Sequence, residues 1–521
     1  MQQLNSASQT STMLSESTFR VEISNSELLP KKEYQNFDWN SDVWEEVIAA
    51  VSRLVKEASV DWDKRRFTPD IGAQTIRDLF DRPMPNSGED LTALLGTLQQ
   101  VIDCSGYNGH PRWFAYITSS PDPVGVLGSF FAAAINQNNN LWRIAPAATS
   151  IELQCIEWFK EMFDLSGEWE GIFSSGGQMS NIIACAIARQ MRCPWDVRRH
   201  GVAGPTSSGR MRIYTSDQAH YCHHQAAELL GLGSEALRVV PSDDSYRMRV
   251  DMLAEMIEQD KAQGDIPIMV IATAGTVGTG AIDPLADIRT LSEQENLWFH
   301  IDGAYGLPAY LSPDAAPALA PMQTADSLSF DPHKWLYSPI DAGVTLVRQP
   351  GALRQTFGFQ VSYLDQSALN NCRVDLVDFT PENSRPARAI KVWLSLLAHG
   401  VDRFRFQITQ DMALTQYMGD YIERSNNLVL LSEPSLSIVC WRVEPEALRG
   451  NETALNELQL KIIETLENRG DAFLSKAKLK GDKIAIRACI VNFRTQKADV
   501  EATLAACEAV GIELVEQVSA R

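Results

Sequence analysis

The chain has 521 residues, long enough for two or three packed units in one compact subunit. Its 45% hydrophobic and 21% charged residues are ordinary for a water-soluble globular protein. Lys and Arg number 46 against 66 Asp and Glu, and the resulting net charge of −20 repels phosphate backbones and anionic membranes, which argues against nucleic-acid and membrane partners.

Nine dispersed cysteines without metal-ligand spacing predict reduced thiols, no disulfide framework and no metal site. No basic-then-apolar leader and no apolar run of about 18 residues is visible, so the expected location is the cytoplasm. Residues 1–40, rich in Ser, Gln and Asn, predict a mobile arm. A helix is expected from Ser41 or Asp42, either able to cap it, with Glu45 and Glu46 in its first turn. Val43, Trp44, Val47, Ile48, Val51, Leu54 and Val55 recur at helical spacing, a face wide enough to need a partner surface. Residues 41–105 therefore read as an N-terminal helical dimerisation segment.

Over 106–398 short β-branched runs alternate with helical stretches. The run Gly171-Ile-Phe-Ser-Ser-Gly176-Gly177 leads into a helix over 178–192. Strands are expected over 212–215, 268–273, 297–301, 327–330 and 343–347, with a crossover helix over 249–263. The runs at 268 and 297 are almost wholly apolar, as strands covered on both faces should be. The pattern is α/β with a mainly parallel central sheet. Residues 399–521 read as a small C-terminal α/β domain, with strands over 437–443 and 484–492 and helices over 452–468 and 497–510.

Open α/β sheets bind ligands outside the carboxyl ends of their strands. The run at 268 ends in Thr273, and the run at 297 passes into Asp302-Gly-Ala304. The run at 327 passes into Asp331-Pro-His333-Lys334-Trp335, and the run at 212 into Ser216-Asp-Gln-Ala-His220. Singly, each has a plain reading: Gly176-Gly177 is a turn, Asp302 a helix cap, His220 a satisfied polar residue, Lys334 a solvated charge. Yet Lys334 sits between His333 and Trp335 directly after an apolar strand, a poor seat for a solvated lysine. Together the set suits a pyridine-ring aldehyde. A lysine whose pKa falls on desolvation forms an imine. A carboxylate at the ring nitrogen holds the pyridinium that accepts electrons from a bond breaking at Cα. A helix start offers amides to a phosphate, and a flat imidazole stacks on the ring.

The segment Asp326-Ser-Leu-Ser-Phe-Asp-Pro-His-Lys-Trp-Leu336 resembles the cofactor-lysine signature of the group II pyridoxal-dependent decarboxylases. That group includes the aromatic-amino-acid, glutamate, cysteine-sulfinate and diaminobutyrate decarboxylases. The resemblance runs through His110-Pro-Arg-Trp-Phe-Ala-Tyr116, Ile144-Ala-Pro146, the Gly-Gly turn, Ser216 to His220 and His300 to Tyr305. It continues to Ser384-Arg385, Lys391-Val-Trp393, Ile438-Val-Cys-Trp-Arg442 and Ile486-Arg-Ala-Cys489, covering residues 40–515.

The resemblance implies the fold-type I architecture of aspartate aminotransferase, pyridoxal 5'-phosphate as cofactor, and a homodimer with shared active sites. By it Lys334 carries the cofactor as a Schiff base, Asp302 partners the pyridinium and His220 stacks on the ring. Thr273 and Ala304 lie beside the ring, and Gly176, Gly177 and His333 fall where the phosphate is held. Tyr363, in Val361-Ser-Tyr-Leu364, matches the loop tyrosine that protonates Cα after carbon dioxide leaves, and Arg385 matches an arginine near the substrate carboxylate. The implied reaction is decarboxylation of an L-amino acid to its amine.

Two places depart from the pattern. Asp331 stands where many relatives carry asparagine, which puts an acid near the phosphate region. In Ile135-Asn-Gln-Asn-Asn-Asn-Leu-Trp142, Asn138 and Asn140 replace the bulky apolar residues that aromatic-acid relatives supply from the partner subunit. Such a polar run is a surface loop by composition. As a pocket wall, amides left unpaired by an apolar ring would cost roughly 1–3 kcal/mol each. The expectation leans to a small polar or acidic substrate, with aromatic acids still open. Two other functions compete: a related enzyme that forms an aldehyde oxidatively or joins carbon to carbon, and a non-catalytic cofactor-binding dimer. The intact lysine, aspartate, histidine and tyrosine set argues against both.

Overall fold

Asn40 begins the first helix. Its Oδ1 accepts a hydrogen bond from Val43 N at 3.0 Å, so α1 (Ser41–Val60) is capped by Asn40 and not by the expected Ser41 or Asp42. The computed structural model describes residues 38–60, 65–204, 209–359 and 373–519, and the chain divides into two compact units, Met1–Tyr107 and Asn108–Arg521. In the first unit α1 is followed by α2 (Ala73–Phe80) and α3 (Leu91–Asp103), the last capped by Asp90 accepting from Ala93 N. Ala50 and Leu54 of α1 pack on Leu91 and Leu95 of α3. Trp44, Ile48 and Val55, from the same wide apolar face, stay exposed.

The second unit opens with α4 (Pro123–Ile135) and α5 (Pro146–Met162) and then builds a seven-stranded sheet. Its members are β1 (Glu170–Ser174), β2 (Met211–Ser216), β3 (Leu237–Val240), β4 (Ile266–Thr273), β5 (Trp298–Asp302), β6 (Ser327–Phe330) and β7 (Gly343–Val347), and α6 (Gly177–Arg192) follows β1 directly. The spatial order is β1-β7-β6-β5-β4-β2-β3. Strands β3, β2, β4, β5 and β6 pair in parallel, and β7 runs antiparallel to both β6 and β1. That single reversal has a local cause: the chain returns from β6 to β7 through 331–342 without a crossover helix, and this return carries Lys334.

Strands β2, β5, β6 and β7 are buried along their whole length because both faces are covered. Phe159, Phe173, Phe330 and Trp335 pack on one side, and Ile183, Ile187, Trp298 and Leu353 on the other. Each such side chain contributes roughly 1.5–3 kcal/mol by leaving water. The helix Ala389–Arg424 leads on to a four-stranded antiparallel sheet ordered β10-β11-β9-β8. It comprises β8 (Leu428–Leu430), β9 (Ile438–Val443), β10 (Ser475–Leu479) and β11 (Lys483–Cys489). The helices Glu452–Arg469 and Lys497–Ser519 share its core through Trp441, Ile462, Leu466, Val500 and Leu504. Among the described residues no helix is long and apolar enough to cross a membrane.

Candidate active site

Strand β5 delivers two side chains to one face, because residues two apart in a strand point the same way. The first, His300, is fully buried. Its Nε2 lies 2.9 Å from Asn181 Oδ1 and its Nδ1 2.8 Å from Ser327 Oγ. Burial pushes its pKa down to about 3, so the ring is neutral. The second is Asp302. One carboxylate oxygen accepts from Ala304 N at 3.0 Å and Ser329 Oγ at 3.4 Å, and the other accepts from Asn181 Nδ2 at 2.9 Å. His223 Nε2 stands 3.0 Å from that second oxygen, at ion-pair distance, though its N–H is not aimed along a hydrogen bond. Burial alone would raise this carboxyl. His223 and the donors around it outweigh burial and hold the carboxyl well below the usual range, so Asp302 is a buried, ionised carboxylate.

The lysine lies on the β6–β7 return, and its neighbours pin it. Trp335 Nε1 and Tyr337 OH both donate to Asp411 Oδ2, at 2.9 and 2.6 Å, and Trp335 stacks on Tyr305 with ring centres 5.0 Å apart. Before it, Ser119 Oγ donates to His333 O at 2.9 Å, and Lys334 N donates to Asp331 O. Lys334 Nζ then sits 3.0 Å from Asp331 Oδ2 with its side chain 23% exposed. Burial would lower its pKa, as the sequence led us to expect. The carboxylates of Asp331 and Asp302 outweigh burial and raise it, so without cofactor Lys334 is an ammonium.

The glycine turn takes its form from close packing. Gly176 has φ +149°, open to glycine and costly to other residues, and Gly343 packs so tightly on it that a Cβ there would lie 2.5 Å from Gly176 Cα. A Cβ on Gly177 would come within 2.9 Å of Ala304 Cβ and 3.0 Å of Asp331 Oδ2. The start of α6 is therefore bare backbone facing the loop that carries the lysine. After β2, His220 is half-buried; its Nδ1 accepts from Cys222 N at 3.2 Å, and burial lowers its pKa. Thr273 Oγ1, at the end of β4, is buried without a hydrogen-bond partner.

One cavity collects these groups. Gly177, His220, Thr273, Asp302, Ala304 and Lys334 line it, together with Gln178, Asn181, Cys222, Tyr305 and Asp331. Gly176 precedes Gly177 in the turn, and the His333 ring lies 3.2 Å from where a Gly176 Cβ would stand. A roomier groove bounded by Trp158, Tyr310, Leu397 and Arg405 has no lysine and none of these groups.

Three candidates do not join this cavity. Arg385 is 2% exposed, and its guanidinium donates to Glu152 Oε1 at 2.7 Å, Phe173 O at 2.8 Å and Asn139 O at 2.9 Å. Asn138 Oδ1 accepts from Arg385 N at 3.0 Å, and Asn140 Nδ2 donates to Asn383 Oδ1 at 3.3 Å. Asn139 and Asn140 are buried, so the asparagine run is not a surface loop. Tyr363 lies outside the described residues.

Three contributors were not singled out from sequence: Asn181, His223 and Cys222. Asn181 lies one helical turn after Gly177 and His223 three residues after His220, and that spacing was the available signal. Cys222, His223 and Asp302 each place a ligand-type atom within 4.8 Å of the others. Burial raises the Cys222 thiol pKa well above its ordinary value, so it is protonated and a poor metal ligand.

The family model described as the pyridoxal-dependent decarboxylase conserved domain matches residues 73–444. An aromatic-L-amino-acid decarboxylase of Bacillus atrophaeus is 33% identical over 427 residues, spanning 82% of this chain and 86% of that protein. A cysteine sulfinic acid decarboxylase of Rattus norvegicus is 28% identical over 449 residues, spanning 85% of this chain and 90% of that one. The crystal structure of mouse CSAD aligns with a TM-score of 0.84 at 27% identity, covering 91% of this chain and 99% of that one.

Proposed function

Because the chain belongs to the pyridoxal-dependent decarboxylase family, we propose that it removes the α-carboxylate of an L-amino acid in the cavity shared by Lys334 and Asp302. The fold is fold-type I, and the activity is that of a pyridoxal-phosphate-dependent amino-acid decarboxylase. The observation that carries it is the ionised Asp302 lining the same cavity as Lys334, with the bare start of α6 beside them.

The residues present fit the cofactor: an anion for the ring nitrogen, an amine for the aldehyde, a glycine helix start for the phosphate and an unpartnered Thr273 hydroxyl. Bound there, pyridoxal phosphate supplies a ring that accepts the electrons of the Cα–carboxylate bond. Asp302 holds a proton at the ring nitrogen, and Asn181, His223 and Ala304 keep its carboxylate aimed. His220 lines the cavity where it would cover one face of the ring, and its neutral form adds no competing charge. The amides of Gly176, Gly177 and the rest of the first turn of α6 take the phosphate, with His333 at the edge. Ala304 keeps that wall thin. Lys334 must first lose a proton to act as a nucleophile, and it takes one back when product leaves. Tyr363 returns a proton to Cα. Its test is Tyr363→Phe, which should divert turnover from amine to oxygen-dependent or transamination products; an unchanged amine yield would remove that role.

Exposed Leu127, Phe130 and Phe131 on α4 support a homodimer whose subunits complete each other's sites. We assign Asn138 and Asn140 to the substrate end of the partner's cavity. Asn140 Oδ1 is buried and has no hydrogen-bond partner, an acceptor suited to a polar substrate. Arg385 acts there as the brace of the asparagine run. The relatives carry both aromatic and cysteine-sulfinic names, so the substrate is proposed as small, polar or acidic with aromatic acids as the second class. The unpaired cysteines among the described residues support a reducing cytoplasm. Purified enzyme with cofactor, assayed for carbon dioxide and amine against the twenty amino acids plus cysteine sulfinate and diaminobutyrate, tests the assignment. Failure on every substrate would overturn it.

A further inference from the structure

We propose that Asp331 is a built-in brake on cofactor loading, a buried carboxylate that holds Lys334 as an ammonium and disfavours the phosphate that must enter beside it. This rests on the reading of the cavity as the pyridoxal-phosphate site.

Asp302 and Asp331 are both buried acids in that cavity, yet they are held differently. Asp302 is surrounded by donors on both oxygens. Asp331, 1% exposed, has Oδ2 3.0 Å from Lys334 Nζ, and its Oδ1 is buried without any partner. His333 Nε2 is the other nearby nitrogen, at 3.7 Å, and burial lowers the pKa of that ring, so it adds little positive charge. Lys334 is thus the one cation that balances Asp331 among the described groups in contact with it.

The Asp331 main chain is also anchored. Its backbone N donates to Ala304 O at 3.0 Å, and its O accepts from Lys334 N at 2.9 Å. A Cβ on Gly177 would lie 3.0 Å from Oδ2, so the carboxylate borders the helix start that suits a phosphate.

Two costs follow. Lys334 bonds to an aldehyde carbon only as a free amine: the ammonium gives up a proton, nitrogen and carbon join, and the carbonyl oxygen leaves as water. Asp331 stabilises the ammonium and so opposes the first of these events. A phosphate entering by Gly177 then meets a carboxylate in a poorly solvated place, and like charges there repel. Neutralising residue 331 should relieve both. Binding should therefore be weaker in the native protein than its cavity would otherwise give, and cofactor should exchange freely.

The test compares full-length apoenzyme and Asp331→Asn, titrated with pyridoxal phosphate and read by tryptophan fluorescence and by the absorbance band of the bound cofactor. Asparagine should tighten binding about tenfold or more, which is 1.4 kcal/mol. Pyridoxal, which lacks the phosphate, should gain less, and inorganic phosphate should compete better against the variant than against the native protein. Asp331→Ser, smaller and also uncharged, should shift affinity the same way and guards against misfolding of either variant, checked by circular dichroism. Equal or weaker cofactor binding by both folded variants overturns the brake while leaving the site assignment intact. A native protein that develops no cofactor band at any concentration overturns the site assignment, and this proposal with it.

Discussion

Two buried polar clusters in the large unit both hold candidate site residues and differ in what they leave open. Around Arg385, most groups pair within the fold, although Arg385 Nε has no hydrogen-bond partner: Glu152 takes the guanidinium and also Asn139 Nδ2 and Phe173 N, and Thr149 Oγ1 closes on Asn139 Oδ1. Around Lys334, groups are held but not closed off. The amine lines a cavity, Thr273 Oγ1 and Asp331 Oδ1 have no partner, and Asp302 is kept ionised. Chemistry is served by the second arrangement, because a polar atom left unpaired within the fold is free to meet a ligand. The first arrangement gives rigidity instead.

The sharpest way to break this contrast is to remove one partner of the closed cluster. Glu152→Ala takes from the fully buried Arg385 its nearest carboxylate and leaves only Glu382 Oε2 at 3.8 Å, and stability should fall by about 3–5 kcal/mol in denaturant titrations. Cofactor affinity of the folded fraction should hold. A loss of affinity with little loss of stability would mean that the cluster belongs to the site. Next comes the open cluster. Asp302→Asn should leave a folded, cofactor-binding protein whose kcat drops roughly hundred- to thousandfold, since an amide cannot hold the ring proton; near-native turnover would remove Asp302 from its role.

A third test uses pH at the anchor of the lysine loop. Burial raises the pKa of Asp411 to about 7, although Tyr337, Gln407 and Trp335 donate to it, against 3.8 when unfolded. The folded state therefore binds the extra proton between those values. The stabilisation is complete below about pH 4 and is lost as pH rises towards about 7. The total is a few kcal/mol in order of magnitude. Asp411→Asn should flatten that slope, so the melting temperature of the variant should gain on the native protein between pH 5 and pH 8. Parallel pH profiles would contradict the assignment. The smallest effect is expected at Asn140, which we place beside the partner's substrate. Asn140→Leu should lower turnover of polar substrates that donate a side-chain hydrogen bond, relative to aromatic ones, by about tenfold, read as a ratio of kcat/KM values.

How far the sequence revealed these features depends on distance along the chain. Strands β6 and β7 were plain because Leu328 and Phe330 in the one, and Val344, Leu346 and Val347 in the other, form short runs bounded by loop residues. β1 and β3 were not, the first because Gly171 and Glu170 dilute a five-residue run, the second because Leu237–Val240 is short and lies at the sheet edge. Lys334, Asp302, His220 and Thr273 could be found because each ends or follows a readable strand and the carboxyl ends of parallel strands converge. Asn181 and His223 offered only their helical spacing from Gly177 and His220, since their approach to Asp302 depends on how two helices pack over the sheet. The closure of Arg385 on Glu152 joins residues 233 apart in sequence, and no local motif announces it. The raised pKa of Lys334 likewise follows from where Asp331 points, which sequence order alone does not give.

The central claim is a covalent one, and borohydride reduction tests it directly. Enzyme loaded with pyridoxal phosphate, reduced, digested and sequenced by mass spectrometry should carry the phosphopyridoxyl mass on the peptide holding Lys334, and Lys334→Ala should carry none. A label on a different lysine, or an unlabelled native protein, would contradict the account.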